Sequence, residues 1–541
     1  MIKRMLPFIL LTAALLDTAA GPAWAGPVVD PVIIETLAGE DSDAKIEAIN
    51  RLVRDMPDQA LPVLTAMAGD ALYIAEGRLV TVDGDTVKDA VTGEILNPAP
   101  ENPGTITVNN RVRSKIAECL SALNLFSKDR DARMKSATDL SENATAESLP
   151  MIEKALSAEK DSVIAVKLNV ARSKMLLVSN DPAIRRKAAE DLTEDPTQST
   201  RQLLAGLLLK NGDDFMEPDK DVRAAAAESV RSIDRQLALG DKLGQIFTGL
   251  SLGSLLLLTA MGLAITYGVM GVINMAHGEF LMIGAYAAFA VQTVFRSRFP
   301  EYQDAYLLAA LPAGFLAAAL TGMVLERTVI RFLYGRPLET LLATWGLSLI
   351  LIQAVRTLFG AQNVEVANPA WMSGGVTVLP NLVLPWNRIV IIGFSIAVLA
   401  VMWAILNLTR LGLFVRAVTQ NRAMSGCVGV PTGRVDTLAF GLGAGIAGLG
   451  GVALSQVSNV GPDMGQSYII DSFMVVVLGG VGQLAGAVWA ALGLGVLSKF
   501  LEGWAGAVIA KIIVLVFVIV FIQKRPQGMF ALKGRTVESG S

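Results

Sequence analysis

The sequence predicts a mostly α-helical protein in two parts: an exported, helical-repeat-like domain with a small β insertion, then a polytopic α-helical membrane domain of about eight to nine spans. Three observations carry this. The 541 residues are 52% hydrophobic and 18% charged, with mean hydropathy +0.49, which exceeds the apolar share of an ordinary soluble domain. Charge is divided unevenly, because residues 241–541 hold 18 Lys and Arg against 12 Asp and Glu, leaving 28 and 37 for residues 1–240. The first part is net acidic and the second net basic, so two different solvents are implied. Lastly, Lys3 and Arg4 precede an apolar run from Leu6 to Leu16 and small residues ending at Ala23-Trp24-Ala25. That is the pattern of a cleaved secretory signal over residues 1–25, and the run is too short to cross ~30 Å of hydrocarbon comfortably.

Residues 26–240 therefore read as an exported domain. Apolar residues three and four apart mark short amphipathic helices, first at Ile46, Ile49 and Val53 and at Leu61–Met67, then at Ile152–Leu156, Val163–Leu177, Ile184–Leu192, Leu203–Leu209 and Val222–Leu239. Two begin alike, Asp181-Pro182-Ala183-Ile184-Arg185 and Asp219-Lys220-Asp221-Val222-Arg223, a weak internal repetition of the helical-pair type. Near 72–108 the pattern changes to short β runs, Arg78–Val82 and Val87–Ile95, joined at Asp83-Gly84-Asp85 as a hairpin. A Pro- and Asn-rich stretch, Asn97–Asn110, closes the insertion. No catalytic constellation stands out in this half, which has no histidine.

In residues 241–541, apolar runs long enough to span occur near 245–268, 271–294, 305–326, 339–359, 388–407, 435–457, 468–482, 484–502 and 505–522, the seventh being short. Nine spans starting from outside put 327–338, 408–434 and the tail after Ile522 in the cytoplasm. Those segments carry Arg327, Arg331, Arg336, Arg410, Arg416, Arg422, Arg434, Lys524, Arg525, Lys533 and Arg535, as the positive-inside rule requires. Cys119 and Cys427 then lie on opposite sides, and no disulfide joins them. Gly441, Gly445, Gly448 and Gly451, like Gly479-Gly480-Val481-Gly482 and Gly486, read as close helix packing or as breaks exposing backbone to a solute.

Ionisable residues inside apolar runs are few: His277, Glu279, Asp471, and Lys499, Glu502 and Lys511 further on, with Glu326 at a span end read as interfacial. Uncharged Asn274, Gln353, Gln456, Ser472 and Gln483 supply further polar groups in or near the spans. Each can serve helix packing or line a solute path. His277 is the sole histidine, so no metal site is expected. The polar loop 409–435, set between long apolar runs, carries Arg410, Gly412, Arg416, Asn421, Arg422, Met424, Gly429 and Arg434. It is a handle that another protein can hold.

Three stretches carry a family resemblance: Gly262–Gly268 with Val272–Phe280, the loop residues just named, and Pro462, Met464-Gly465 and Val477–Gly482. Over roughly 245–530 the chain resembles the membrane permeases of branched-chain amino acid type ATP-binding-cassette importers. The long exported domain, Gly360–Pro369, Asp471–Val476 and Arg525–Phe530 are similar to the urea permease branch. The Gln after Gly482, where amino acid members more often have Ser, points the same way. The resemblance implies a polytopic permease of the bacterial inner membrane that moves urea or a related short amide, or alternatively branched-chain amino acids, with residues 26–240 periplasmic. It also implies four kinds of partner: a second homologous permease, two ATPase subunits, an extracytoplasmic urea-binding protein, and the lipid bilayer. No nucleic acid is expected. No Walker A pattern occurs, so no cofactor is expected on this chain, ATP being used by the partner subunits. Loop 409–435 is then the ATPase-coupling region, a short helix lying in a groove of the ATPase with Arg416 and Arg422 as rim charges. A passive channel or ion-coupled carrier, with His277, Glu279 and Asp471 as relays, leaves that loop without a role. An intramembrane hydrolase lacks a paired catalytic site beyond His277 and Glu279.

Overall fold

The computed structural model describes residues 29–530 except 84–85, 98–99, 101–103, 144 and 213. The signal-peptide reading over 1–25, the tip of the Asp83-Gly84-Asp85 turn, and Lys533 and Arg535 lie outside them. The chain divides into two compact units, Met1–Asp234 and Arg235–Ser541.

The first unit is built from helices α1 (Pro31–Ala38), α2 (Ser42–Asp55) and α3 (Pro57–Ala68), then strands β1 (Leu72–Ala75), β2 (Arg78–Asp83), β3 (Thr86–Asp89) and β4 (Gly104–Thr105). Helices α4 (Asn110–Asn124), α5 (Arg130–Asn143), α6 (Leu149–Ala158), α7 (Ser162–Leu176), α8 (Pro182–Asp191) and α9 (Gln198–Leu207) follow, with a two-residue hairpin, β5 (Lys210–Asn211) and β6 (Asp214–Phe215). The insertion is an antiparallel sheet in the order β3-β2-β1-β4, so the β pattern near 72–108 is a sheet and part of the Asn97–Asn110 stretch is its edge strand. Asp and Asn side chains start the helices, with Asp41, Asn109, Asp161 and Asp181 each accepting from a first-turn N–H, which satisfies donors the helix cannot. Leu37, Ile49, Leu52, Leu64, Met67 and Ile116 form one core and Leu140, Ile152, Ile164 and Leu168 another, each side chain contributing about 1.5–3 kcal/mol by leaving water.

Two buried carboxylates tie successive helical pairs together. Glu159 pairs with Arg133 at 2.8 Å and Glu217 with Arg185 at 2.7 Å, their side chains 6% and 4% exposed. The arginine hydrogen bonds hold both carboxyls below the usual value of 4.5. A depressed folded-state pKa contributes stability that is present above 4.5 and lost as pH falls through the folded value. Thermal unfolding followed against pH should therefore show an acid limb that Glu217→Gln flattens; an unchanged limb would place the acid sensitivity elsewhere.

The second unit holds α10 (Lys220–Met270, whose first turns belong to the first unit), α11 (His277–Arg298), α12 (Tyr306–Thr328), α13 (Pro337–Phe359), hairpin β7 (Gly375–Leu379) and β8 (Leu382–Pro385), and α14 (Trp386–Leu408). Then come α15 (Arg410–Gln420), α16 (Arg422–Cys427), α17 (Thr432–Leu454), α18 (Met464–Gly479), α19 (Leu484–Ala505) and α20 (Ala507–Lys524). Among the described residues, eight helices are long and apolar enough to cross a membrane. The seventh apolar run, expected to be short, is α18, only 16 residues long, because Gly480 and Gly482 at φ 102° and 75° end it. Glycines let the helices touch backbone to backbone. A Cβ on Gly448 of α17 would meet Gly314 O and the Ala318 Cβ of α12, both at 2.6 Å, and Gly479 of α18 faces Gly486 of α19. Close packing accounts for these residues, while Gly480 and Gly482 do break the chain between two helices.

Candidate functional site

Three polar clusters interrupt the apolar interior of the second unit. The first surrounds the loop 409–435. Thr409 caps α15 and Asn421 caps α16, accepting from Gly412 N and Met424 N. Gly412 sits against the Leu406 backbone with no space for a Cβ, which permits the tight corner between α14 and α15. Val415 and Val418 point inward. Outward lie Leu413, Met424 and Val428, at 57%, 60% and 72% exposure, among exposed Arg410, Arg416 and Arg434. Arg416 donates to Asn407 Oδ1 at 3.2 Å, and Gly429 turns the chain at φ 86°.

Arg422 behaves differently from the other loop arginines. Its guanidinium pairs with Asp436 of α17, whose side chain is 1% exposed, and stacks over the Tyr334 ring with Cζ 4.8 Å from the centroid. Burial and the carboxylates of Asp436 and Glu326 push the Tyr334 hydroxyl well above its usual range, so it remains a donor. It donates to Glu326 Oε1 at 3.1 Å, and Glu326 Oε2 accepts from Thr437 Oγ1 at 2.7 Å. The expectation that Glu326 is merely interfacial fails, since it is 1% exposed and belongs to this cluster. The reading of Arg422 as a rim charge is corrected likewise: it turns inward and clamps the loop to α12 and α17.

The second cluster lies where α10, α11, α13 and α18 meet. His277 Nε2 is 3.0 Å from Thr259 O, Ser472 Oγ donates to Thr259 Oγ1 at 2.8 Å, Ser348 Oγ donates to Glu279 Oε1 at 2.9 Å, and Met275 N donates to Thr344 Oγ1 at 3.1 Å. All seven of Asn274, His277, Glu279, Thr259, Thr344, Ser348 and Ser472 are buried. Asn274 Nδ2, His277 Nδ1 and Glu279 Oε2 have no hydrogen-bond partner. An unmet buried polar atom costs about 1–3 kcal/mol, so these three groups are held against that cost.

The third cluster is a strap. Val364 and Val460 form an isolated antiparallel bridge; Ala367 O accepts from Gln292 and Tyr306, and Tyr306 also donates to Gln456 at 3.0 Å. The remaining polar residues are dispersed. Asp471 faces Lys511 at 3.5 Å, Gln353 is exposed, and Gln483 lines a cavity of about 620 Å³ shared with Arg416, Thr419 and Gln420. Among the described residues no group of three or more His, Cys, Asp or Glu is placed to hold a metal ion. Sequence reasoning missed Thr259, Thr344, Ser348 and Tyr334, because hydroxyls in apolar helices mostly bond their own backbone and carry no pattern. Asp436 did have a signal, an acid in the first turns of an apolar run.

A polytopic bundle of apolar helices with buried polar clusters and an outward-held loop is the architecture of a multi-pass membrane protein. The chain belongs to the branched-chain amino acid transport system permease component family, which residues 245–523 match. It is 30% identical over 293 residues to the high-affinity branched-chain amino acid transport system permease protein BraD of Pseudomonas aeruginosa, covering 53% of this chain and 95% of that one. It is 28% identical over 296 residues to LivH of Escherichia coli K12, a permease of the same description, covering 53% and 94%. The ribose import permease protein RbsC of Escherichia coli K12 is 27% identical over 203 residues, covering 36% and 60%. No solved structure matches the chain.

Proposed function

We propose that this permease is the membrane-spanning subunit of an ATP-driven importer for urea or a related short amide. The observation that carries the solute reading is the chemistry of the buried polar cluster around His277 and Glu279. It offers hydroxyls, an amide, His277 and Glu279, while no Lys or Arg is buried among the described residues of the second unit. A neutral planar amide needs donors and acceptors only, whereas the carboxylate of an amino acid needs a cation once desolvated. The likeness of Gly360–Pro369 and Asp471–Val476 to the urea branch supports this. A second reading, import of branched-chain amino acids, is favoured by the names of BraD and LivH.

The loop 409–435 couples the permease to separate ATPase subunits, which bind and hydrolyse ATP. Leu413, Met424 and Val428 are the anchors in the ATPase groove, and Arg410, Arg416 and Arg434 its charged rim. Gly412, Asn421 and Gly429 shape the loop. Asn274, His277, Glu279 and Ser472 face the solute, with Gln456 on the strap and Gln483 beside the loop cavity; exposed Gln353 and Asp471, paired with Lys511, lie apart from it. Residues 26–240 form the periplasmic domain after removal of the signal peptide, and the C-terminus is cytoplasmic. That parity needs α18 to cross, and its sixteen residues rise about 24 Å, so the bilayer thins or its flanks complete the crossing. A second permease and an extracytoplasmic urea-binding protein complete the assembly. In cells lacking and then regaining the chain, radiolabelled urea uptake should be lost and restored, with excess leucine leaving it unaffected. Leucine uptake that depends on the chain, with urea uptake indifferent to it, would select the second reading.

A further inference from the structure

The first unit repeats one arginine device. Arg133 of α5 donates from Nη1 to Ser127 O and Lys128 O, and from Nε and Nη2 to Glu159 at 2.8 and 3.4 Å. Arg185 of α8 does the same with Ser179 O, Asn180 O and Glu217, the last at 2.9 and 2.7 Å. Arg223 of α10 builds the same first half, its Nη1 donating to Glu217 O and Pro218 O at 2.7 and 2.8 Å. Among the described residues no carboxylate completes it. In the two complete cases the acid follows its arginine by 26 and 32 residues. The same interval from Arg223 falls at 249–255, within the apolar part of α10, where no Asp or Glu occurs. Among the described residues the third instance therefore stays unfinished.

What surrounds Arg223 is also unlike a finished surface. Its Cζ lies 4.4 Å from the centroid of the Phe215 ring, and Lys210 Nζ lies 4.9 Å from it. Phe215, Met216 and Leu209 stand 40%, 61% and 63% exposed. A preorganised guanidinium with free donors, a second cation and three exposed apolar side chains fit a carboxylate carried on an apolar protein surface.

We infer that Arg223 and the β5–β6 hairpin form a docking site for an acidic side chain of the transport system's solute-binding protein, seated as Glu159 and Glu217 are seated on Arg133 and Arg185. This rests on the extracytoplasmic placement proposed above. The test uses the full chain with its permease and ATPase partners in nanodiscs, titrated with the purified solute-binding protein while ATP hydrolysis is followed. Arg223→Glu should raise the half-maximal concentration on the order of tenfold, leaving the maximal rate unchanged, with a smaller rise for Arg223→Lys. If Arg223→Glu lowers the yield of folded assembly, Phe215→Ser carries the test, since it leaves the loop carbonyl bonds intact, and it too should raise that concentration. An unchanged concentration in the folded variants overturns the inference. So does loss of binding to phosphatidylglycerol vesicles with the titration unaltered, which would assign Arg223 to lipid phosphate. A wild-type assembly indifferent to the binding protein overturns the functional reading itself, and the inference with it.

Discussion

Arg422→Ala is expected to cut ATP-driven uptake by a factor on the order of ten or more while the partner ATPase continues to turn over. The arginine is the loop's inward tie. It pairs with Asp436, covers the Tyr334 ring, and through that tyrosine and Glu326 reaches α12. Truncation leaves Asp436 buried without its cation and close to Glu326, a second buried carboxylate. Breaking a buried pair costs about 3–5 kcal/mol, and the 41% exposure of the Arg422 side chain puts this case at the low end. Asp436→Asn added to Arg422→Ala removes the unpaired charge, so it should restore thermal stability without restoring transport. Wild-type uptake by folded Arg422→Ala would show that the loop moves the helices by some other contact.

Gly448→Leu should abolish folded protein altogether. A side chain there runs into the Gly314 carbonyl and Ala318 on α12, and the same turn of α17 meets Gly284 of α11. Overpacking that can relax costs about 1–3 kcal/mol; backbone cannot swing aside as a side chain does, so the cost here is larger. Gly346→Leu is the control, because a Cβ at Gly346 of α13 meets nothing within 4 Å. Size-exclusion profiles of the two variants in detergent separate the cases. Equal recovery would mean that α11, α12 and α17 are not held by this contact.

The large features were legible for simple reasons. Span length follows from bilayer thickness, and the helical pairs of the first unit follow from apolar spacing. The hairpin β7–β8 was not foreseen; it lies in the loop left between the apolar runs 339–359 and 388–407, where no strand is read. The candidate site was half legible. His277, Glu279 and Asn274 stand out as polar residues in apolar sequence, but Thr259 and Ser348, the partners of His277 and Glu279, lie 18 and 69 residues away on other helices, a pairing that no local pattern encodes. Arg422 and Arg416 are six residues apart in one loop with the same charge. Only packing distinguishes the one that turns inward to Asp436 from the one left at the surface.

Under the proposed function, this chain moves a small neutral solute only when separate ATPases act through loop 409–435. The most direct measurement is labelled urea accumulation in proteoliposomes holding the whole assembly, with the solute-binding protein outside the compartment that accumulates solute and ATP on the ATPase side. The account predicts accumulation above the bath concentration with hydrolysable ATP and none with a non-hydrolysable analogue. Equilibration of urea to the bath concentration without ATP would contradict it and make the chain a passive channel.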